Sequence, residues 1–233
     1  MALYVILIIA GFVPSLLWLH FYLGKDVHPE PRRLIIETFF FGILLAPLAV
    51  AAQYLFGWAV GGPTDSLVFF FWAAFVEEAV KFLAVYYLII HKPDFDEPID
   101  AMIYLITAAL GFAAIENILV LFKNIPDGVS ITAQILVLRF FGATLLHALS
   151  SAIVGYFLAL AWFHEPHRRK LIWFGIGAGT TFHFLFNILL LDFSALQGLL
   201  ASTSVLVFML ILVSVLFHKL RERSESSIIK ANA

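Results

Sequence analysis

The chain alternates long apolar runs with short polar breaks marked by Pro, Gly or charge. A helix needs about 20 apolar residues to cross the hydrocarbon core of a membrane. The breaks leave seven such runs: 2–24, 34–57, 67–90, 99–122, 132–162, 170–191 and 195–217. Their connections are short: KDVHPEPRR, the segment Trp58–Ser66, HKPDFDEP, KNIPDGVS, HEPHRR and Asp192–Ser194. The last is tight enough to predict an antiparallel hairpin of the final two spans. Alternating ten-residue strand patterns are absent, and lipid cannot satisfy the backbone of an open strand. The predicted fold is all-α, a polytopic transmembrane helix bundle of about seven spans.

Composition narrows the function classes further. Of 233 residues, 62% are hydrophobic and 13% charged, against roughly 45–50% and 25% in soluble domains. That excludes a soluble enzyme and a disordered chain. A net charge of −2 leaves no basic excess for nucleic acid. Without Cys there is no disulfide framework and no thiolate metal site. The first run lacks a basic leader and a small-residue cleavage pattern, and it carries Pro14 and Trp18, so it reads as a retained helix and not a secretory signal.

Basic residues set the expected orientation. Lys25, Arg32, Arg33, Lys92, Arg168, Arg169, Lys170, Lys219, Arg221, Arg223 and Lys230 fall on one side, and Lys123 alone on the other. This places the N-terminus outside and the C-terminus in the cytoplasm of a multi-pass cell-membrane protein. One transmembrane domain over 1–218 and a disordered polar cytoplasmic tail over 219–233 complete the predicted organisation.

The informative residues are polar groups inside the runs: Glu37, Glu77, Glu78, Lys81, Glu116, Arg139, His147 and His183, with Asn117 and Asn187. An ionisable group near the bilayer centre costs at least ~2.5–3.5 kcal/mol, so such groups face the bundle interior and mark function. Glu37 sits near a helix end, four residues after Arg33, and reads as a structural pair or a snorkelling side chain. In span three, Lys81 reaches Glu78 at i+3 and Glu77 at i+4, but one Lys cannot neutralise two Glu. The surplus carboxylate must take a proton or face another cation. Spans five and six carry similar phrases, GATLLH ending at His147 and AGTTFH ending at His183, with Asn187 one turn beyond. Outside the spans, HEPH at 164–167 has the wrong spacing for a zincin. Asp94, Asp96 and Glu97, near Asp100, read as solvated loop acids.

Carboxylates, imidazoles and an amide suffice for amide hydrolysis by a Glu-activated water with His and Asn as proton donors or oxyanion partners. The same Glu and His side chains suit an open Zn²⁺ site. The spans contain no HExxH, no Gly-x-Gly-Asp and no Gly-x-Ser-x motif. Ordered motifs do match a known family: EEAVK in span three, FAAIEN in span four, His147 in span five and HFLFN in span six resemble the PrsW family of bacterial intramembrane proteases. The resemblance extends to the early loop KDVHPEP and covers most of the chain. It implies site-1 cleavage of a membrane-anchored anti-sigma factor in envelope-stress signalling. It also implies a distant similarity to the CAAX prenyl-endopeptidases and bacteriocin-immunity-type proteins, with their EExxxR, FxxxH and HxxxN pattern.

Carried over by position, Glu77 matches the water-activating Glu and Glu78 the Glu that orients its neighbour or the basic group. His183 and Asn187 match HxxxN as an oxyanion pair. Lys81 departs from the Arg of that pattern, at shortened spacing. Glu116 stands where the CAAX enzymes have His, which makes His147 the replacement partner. The expected catalytic set is Glu77, Glu78, Glu116, His147, His183 and Asn187. The cofactor is open: none is favoured, and a divalent metal such as Zn²⁺ on Glu78, Glu116, His147 and His183 is the alternative. The expected partners are the lipid bilayer and a membrane-anchored, anti-sigma-factor-like substrate. Two rival readings are a proton-coupled transporter built on the Glu/His cluster, disfavoured for want of an inverted repeat or a pair of broken helices, and a catalytically silent binding or immunity protein. Counting 1.5 Å per residue places Glu77, Glu116 and His183 ~9–15 Å below the outer surface, which predicts a site opening outward.

Overall fold

The computed structural model describes residues 2–61, 63, 66–163, 165–192 and 195–231. Among them run eight α-helices and no strand: α1 (Ala2–Leu23), α2 (Arg32–Val60), α3 (Leu67–Leu88), α4 (Pro98–Asn124), α5 (Val129–Phe141), α6 (Ala143–Phe163), α7 (Arg168–Asp192) and α8 (Ala195–Ala231). Six stretches are long and apolar enough to cross a membrane: 2–23, 32–60, 98–127, 129–162, 168–191 and 196–223. With 22 residues α3 equals α1 in length, and only Glu77, Glu78 and Lys81 in its middle lower its apolar character. The all-α polytopic bundle is therefore observed as predicted.

At the centre stands α4, where every residue from Pro98 to Ala114 is buried. A helix apolar on all sides must be enclosed, and α1, α2 and α6 pack around it with α3 and α8 beside them. Small residues make that enclosure close. A Cβ on Gly42 would overlap the Ala108 carbonyl, and one on Gly111 would overlap the Phe39 carbonyl, so α2 and α4 meet backbone to backbone. The outward faces remain apolar, with Leu44, Tyr54 and Trp58 exposed, as a lipid-facing surface requires.

Three expectations are revised. The fifth apolar run is two helices, because α5 ends at Phe141 and α6 restarts at Ala143. Gly142 joins them; a Cβ there would come within 2.7 Å of the Leu138 carbonyl oxygen, so the bend needs glycine. The run is thus interrupted once, at Gly142, and still counts as one stretch long enough to cross a membrane. The polar tail is not disordered throughout, since α8 continues as helix to Ala231. And Glu97 is not a solvated acid: it is half-buried and meets His28 at 2.8 Å, while its backbone N–H donates to Asp100 Oδ2 at 2.7 Å. Asp94 and Asp96 are exposed, as expected. His164 of the HEPH phrase lies outside the described residues, as do residues 62, 64 and 65 of the second connection and 193 and 194 of the last.

The loop between α1 and α2 folds over the start of α4. Tyr104 donates a hydrogen bond to Glu30 Oε2, and Asp100 lies beside the same carboxyl group. The backbone N–H of His28 donates to Asp26 Oδ1. Burial raises Glu30 above the ordinary carboxylate range, and nearby Asp26 and Asp96 push it the same way. Burial likewise raises Asp26. Glu37 pairs with Arg33 at 2.6 Å, the i,i+4 contact predicted for it.

Candidate active site

The Ser66 side chain caps α3, accepting from the Phe69 N–H at 3.2 Å. That start sets the register carrying Glu77, Glu78 and Lys81 to the bundle interior. Glu78 is fully enclosed, with its side chain 0% exposed. Its Oε1 meets Lys81 Nζ at 2.7 Å, Ser150 Oγ at 2.8 Å and His183 Nδ1 at 2.8 Å. Ser151 donates to Oε2 at 2.9 Å. A buried carboxylate needs this many donors to stay charged, and both its oxygens are spoken for. Glu78 therefore organises three helices and has no open side for a reactant.

Lys81 also reaches His147 Nδ1 at 2.8 Å and lies 5.2 Å from the centre of the Phe112 ring. An ammonium has only hydrogens to give, so Nδ1 accepts. The His147 proton then sits on Nε2, which donates to Glu116 Oε2 at 2.8 Å. Arg139 of α5 grips the same oxygen through Nη2 at 2.9 Å, and its Nε donates to Asn117 Oδ1 at 2.6 Å. The bend at Gly142 sets α5 and its Arg139 against α4. The Glu116 side chain is 34% exposed, the most open of the three carboxylates.

Glu77 is placed differently. Gln53 of α2 donates to its Oε1 at 2.9 Å. Its Oε2 is buried and has no hydrogen-bond partner. That oxygen lies 3.5 Å from His183 Nε2. With Nδ1 donating to Glu78, the neutral form of the His183 ring would carry a lone pair on Nε2. Two acceptors therefore face each other, an arrangement that calls for a proton or a cation between them.

The helices that converge here belong to a recognisable sequence family. The profile described as PrsW family intramembrane metalloprotease matches residues 30–216. The chain belongs to the PrsW family. It is similar to Protease PrsW of Geobacillus kaustophilus, 33% identical over 168 residues that cover 72% of each chain. Protease PrsW of Oceanobacillus iheyensis is 30% identical over 220 residues, 94% of this chain and 97% of that one. Protease PrsW of Bacillus subtilis is 29% identical over 164 residues, 70% and 72% of the two chains. No solved structure matches the chain. The protein is a multi-pass membrane protease, which decides between the enzyme and transporter readings.

The PrsW description names a metal, and the side chains fit one. Glu77, His147 and His183 each offer a ligand atom, all within 4.8 Å of one another; His147 would give up its Lys81 contact or the proton it donates to Glu116 to do so, since metal binding releases protons. Ligand atoms around tetrahedral Zn²⁺ lie about 3.3 Å apart, given bonds near 2.0–2.1 Å. The Glu77 and His183 atoms already stand at that spacing, and the unpartnered Oε2 is the kind of atom an ion satisfies. Glu78, holding His183 Nδ1, is the carboxylate that fixes ring orientation behind a metal-binding imidazole.

Of the six residues expected to be catalytic, five form one connected group: Glu77, Glu78, Glu116, His147 and His183. None of its hydrogen bonds or ion pairs reaches Asn187, which is half-buried one turn along α7. The amide inside the cluster is Asn117, bonded to Arg139 and to Thr144 at 3.1 Å. Within the metal alternative, the structure groups Glu77 with the two His, while Glu78 and Glu116 are engaged elsewhere. Arg139, Gln53, Ser150 and Ser151 were not singled out as site residues. Arg139 carried a signal, a charge within an apolar run. The other three are uncharged and resemble ordinary packing residues.

Proposed function

We propose that this protein hydrolyses a peptide bond of a membrane-anchored protein, making the site-1 cut in an anti-sigma-factor-like substrate, with Glu77, His147 and His183 as the ligands of a divalent metal. The facing acceptors Glu77 Oε2 and His183 Nε2 carry this reading. A bound ion would polarise the scissile carbonyl and lower the pKa of a bound water. The rest falls to the chain's own side chains. Glu116 is the open carboxylate beside His147, and it takes the proton of the attacking water and returns it to the leaving amine. Arg139 holds Glu116 in place from the α5 side. Glu78 and Lys81 fix the two imidazoles, and Ser150 and Ser151 fix Glu78.

The site opens toward the extracytoplasmic side, in line with the basic residues at the opposite end and with removal of an external domain. The functional unit is the single transmembrane domain over 1–218. A glutamate-only mechanism has one observation in its favour: Gln53 orients Glu77 and leaves its second oxygen to a water. The test uses purified protein in detergent with a membrane-anchored anti-sigma factor bearing an external tag. Release of the tag by the parent, abolished by chelator and restored by Zn²⁺, is expected. Full cleavage in chelator with no metal bound contradicts the metal assignment, and no cleavage of such a substrate by metal-loaded protein contradicts the substrate class.

A further inference from the structure

We infer that this protein carries an anionic-phospholipid site, away from the cluster, between the C-terminal end of α1 and the later turns of α8. A cavity of about 180 Å³ lies there, with Tyr22, Lys25, Ser214, Phe217, His218 and Arg221 among its lining residues. The Tyr22 and Phe217 rings both line it and stack on each other, 6.0 Å between centres and 19° between planes, joining α1 to α8.

Three observations identify the occupant. The rim is cationic: Lys25 comes from α1's end and Arg221 from α8, at the end of the bundle that gathers the chain's basic residues. His218 adds a ring that pairs with Glu222 at 3.1 Å. Next, Tyr22 is only 3% exposed, yet its hydroxyl has no hydrogen-bond partner. A buried hydroxyl without a partner is unfavourable, and a phosphate or glycerol oxygen supplies one. Lastly, the flanks are apolar, with Leu17 and Phe21 of α1 and Ile211 and Val215 of α8 exposed.

The cavity is smaller than the roughly 300–1,000 Å³ of pockets for drug-sized ligands. It takes a phosphate and a glycerol, and the acyl chains run outside along the apolar flanks. Basic pockets between membrane helices on the cytoplasmic side hold anionic headgroups by this combination. The occupant bridges two peripheral helices and so stabilises the bundle.

The test is thermal unfolding of the full-length protein in neutral detergent, a readout that involves no proteolysis. Phosphatidylglycerol, phosphatidylcholine and inorganic phosphate are added separately to the parent, to the double variant Lys25→Gln/Arg221→Gln, and to Tyr22→Phe. At saturating phosphatidylglycerol the parent Tm rises by about 5 °C or more, with little change for the other two additives. Measured against its own lipid-free Tm, the double variant loses most of the phosphatidylglycerol shift, and Tyr22→Phe loses part of it. No shift with phosphatidylglycerol, or an equal shift with phosphatidylcholine, overturns the site. An equal shift with inorganic phosphate replaces the lipid with a free anion, and a full shift in the double variant places the headgroup elsewhere.

Discussion

Two carboxylate-rich regions of this protein obey opposite rules. In the membrane cluster, carboxylates are set among basic side chains: Arg139, Glu116, His147, Lys81, Glu78, His183 and Glu77 follow one another at 2.7–3.5 Å. At the start of α4, acids meet acids. Asp26, Glu30 and Asp100 gather with Tyr104 and backbone N–H groups. Like charges in a poorly hydrated pocket are relieved by sharing protons. In the membrane cluster each carboxylate instead meets donors, and only Glu77 Oε2 lacks one. The loop cluster therefore fastens the α1–α2 connection to α4, and the membrane cluster is built to act on something placed at its open end.

Breaking the membrane cluster gives the largest effects. Glu116→Gln keeps the shape and removes the base, so activity should fall by about 10²–10⁴-fold in a protein of unchanged Tm that still binds metal. Equal turnover by this variant in a single-turnover assay contradicts the assignment of Glu116. Glu78→Gln tests the organiser. Leaving Lys81 and His183 short of a buried anion should cost roughly 3–5 kcal/mol, seen as a large drop in Tm together with lost activity. Arg139→Ala should lower activity about 10–100-fold, the usual cost of removing an outer partner, and Arg139→Lys should recover part of it. A fully active Arg139→Ala removes α5 from the site.

The loop cluster predicts a smaller and different response. Its raised carboxylates hold protons more tightly in the folded state than in the unfolded chain. That contribution to stability is full below the unfolded carboxylate pKa of ~4 and is lost as pH rises through the raised values. Between pH 5 and 8, Glu30→Gln should flatten the decline in Tm with rising pH, by a few °C at most, and leave proteolysis unchanged. A variant that keeps the parent slope shows that Glu30 does not share a proton there.

Much of this contrast was legible in the sequence, for physical reasons that also explain the misses. Charge in an apolar run is expensive, so Glu77, Glu78, Glu116, His147 and His183 announced themselves. The spacing of Glu78 and Lys81 foretold their contact, and that of Arg33 and Glu37 did the same. The bend at Gly142 was hidden because apolar residues continue on both sides and a lone glycine is common in membrane helices. With the bend hidden, so was the approach of Arg139 to Glu116. Asn187 was drawn in by its i+4 spacing from His183 and the HxxxN match, while the amide bonded within the cluster is Asn117, which hydrophobic spacing does not single out. Ser150 and Ser151 gave no warning, since small polar residues in membrane helices serve packing as readily as a buried carboxylate.

The most direct test of the central assignment is metal content measured beside activity in three purified proteins. The parent should hold one divalent ion per chain and cleave its substrate. Glu77→Gln should lose both the ion and activity, and Glu116→Gln should keep the ion and lose activity. If Glu77→Gln retains a full complement of metal, or if the metal-free parent cleaves at the full rate, Glu77, His147 and His183 are not the metal centre of this protease.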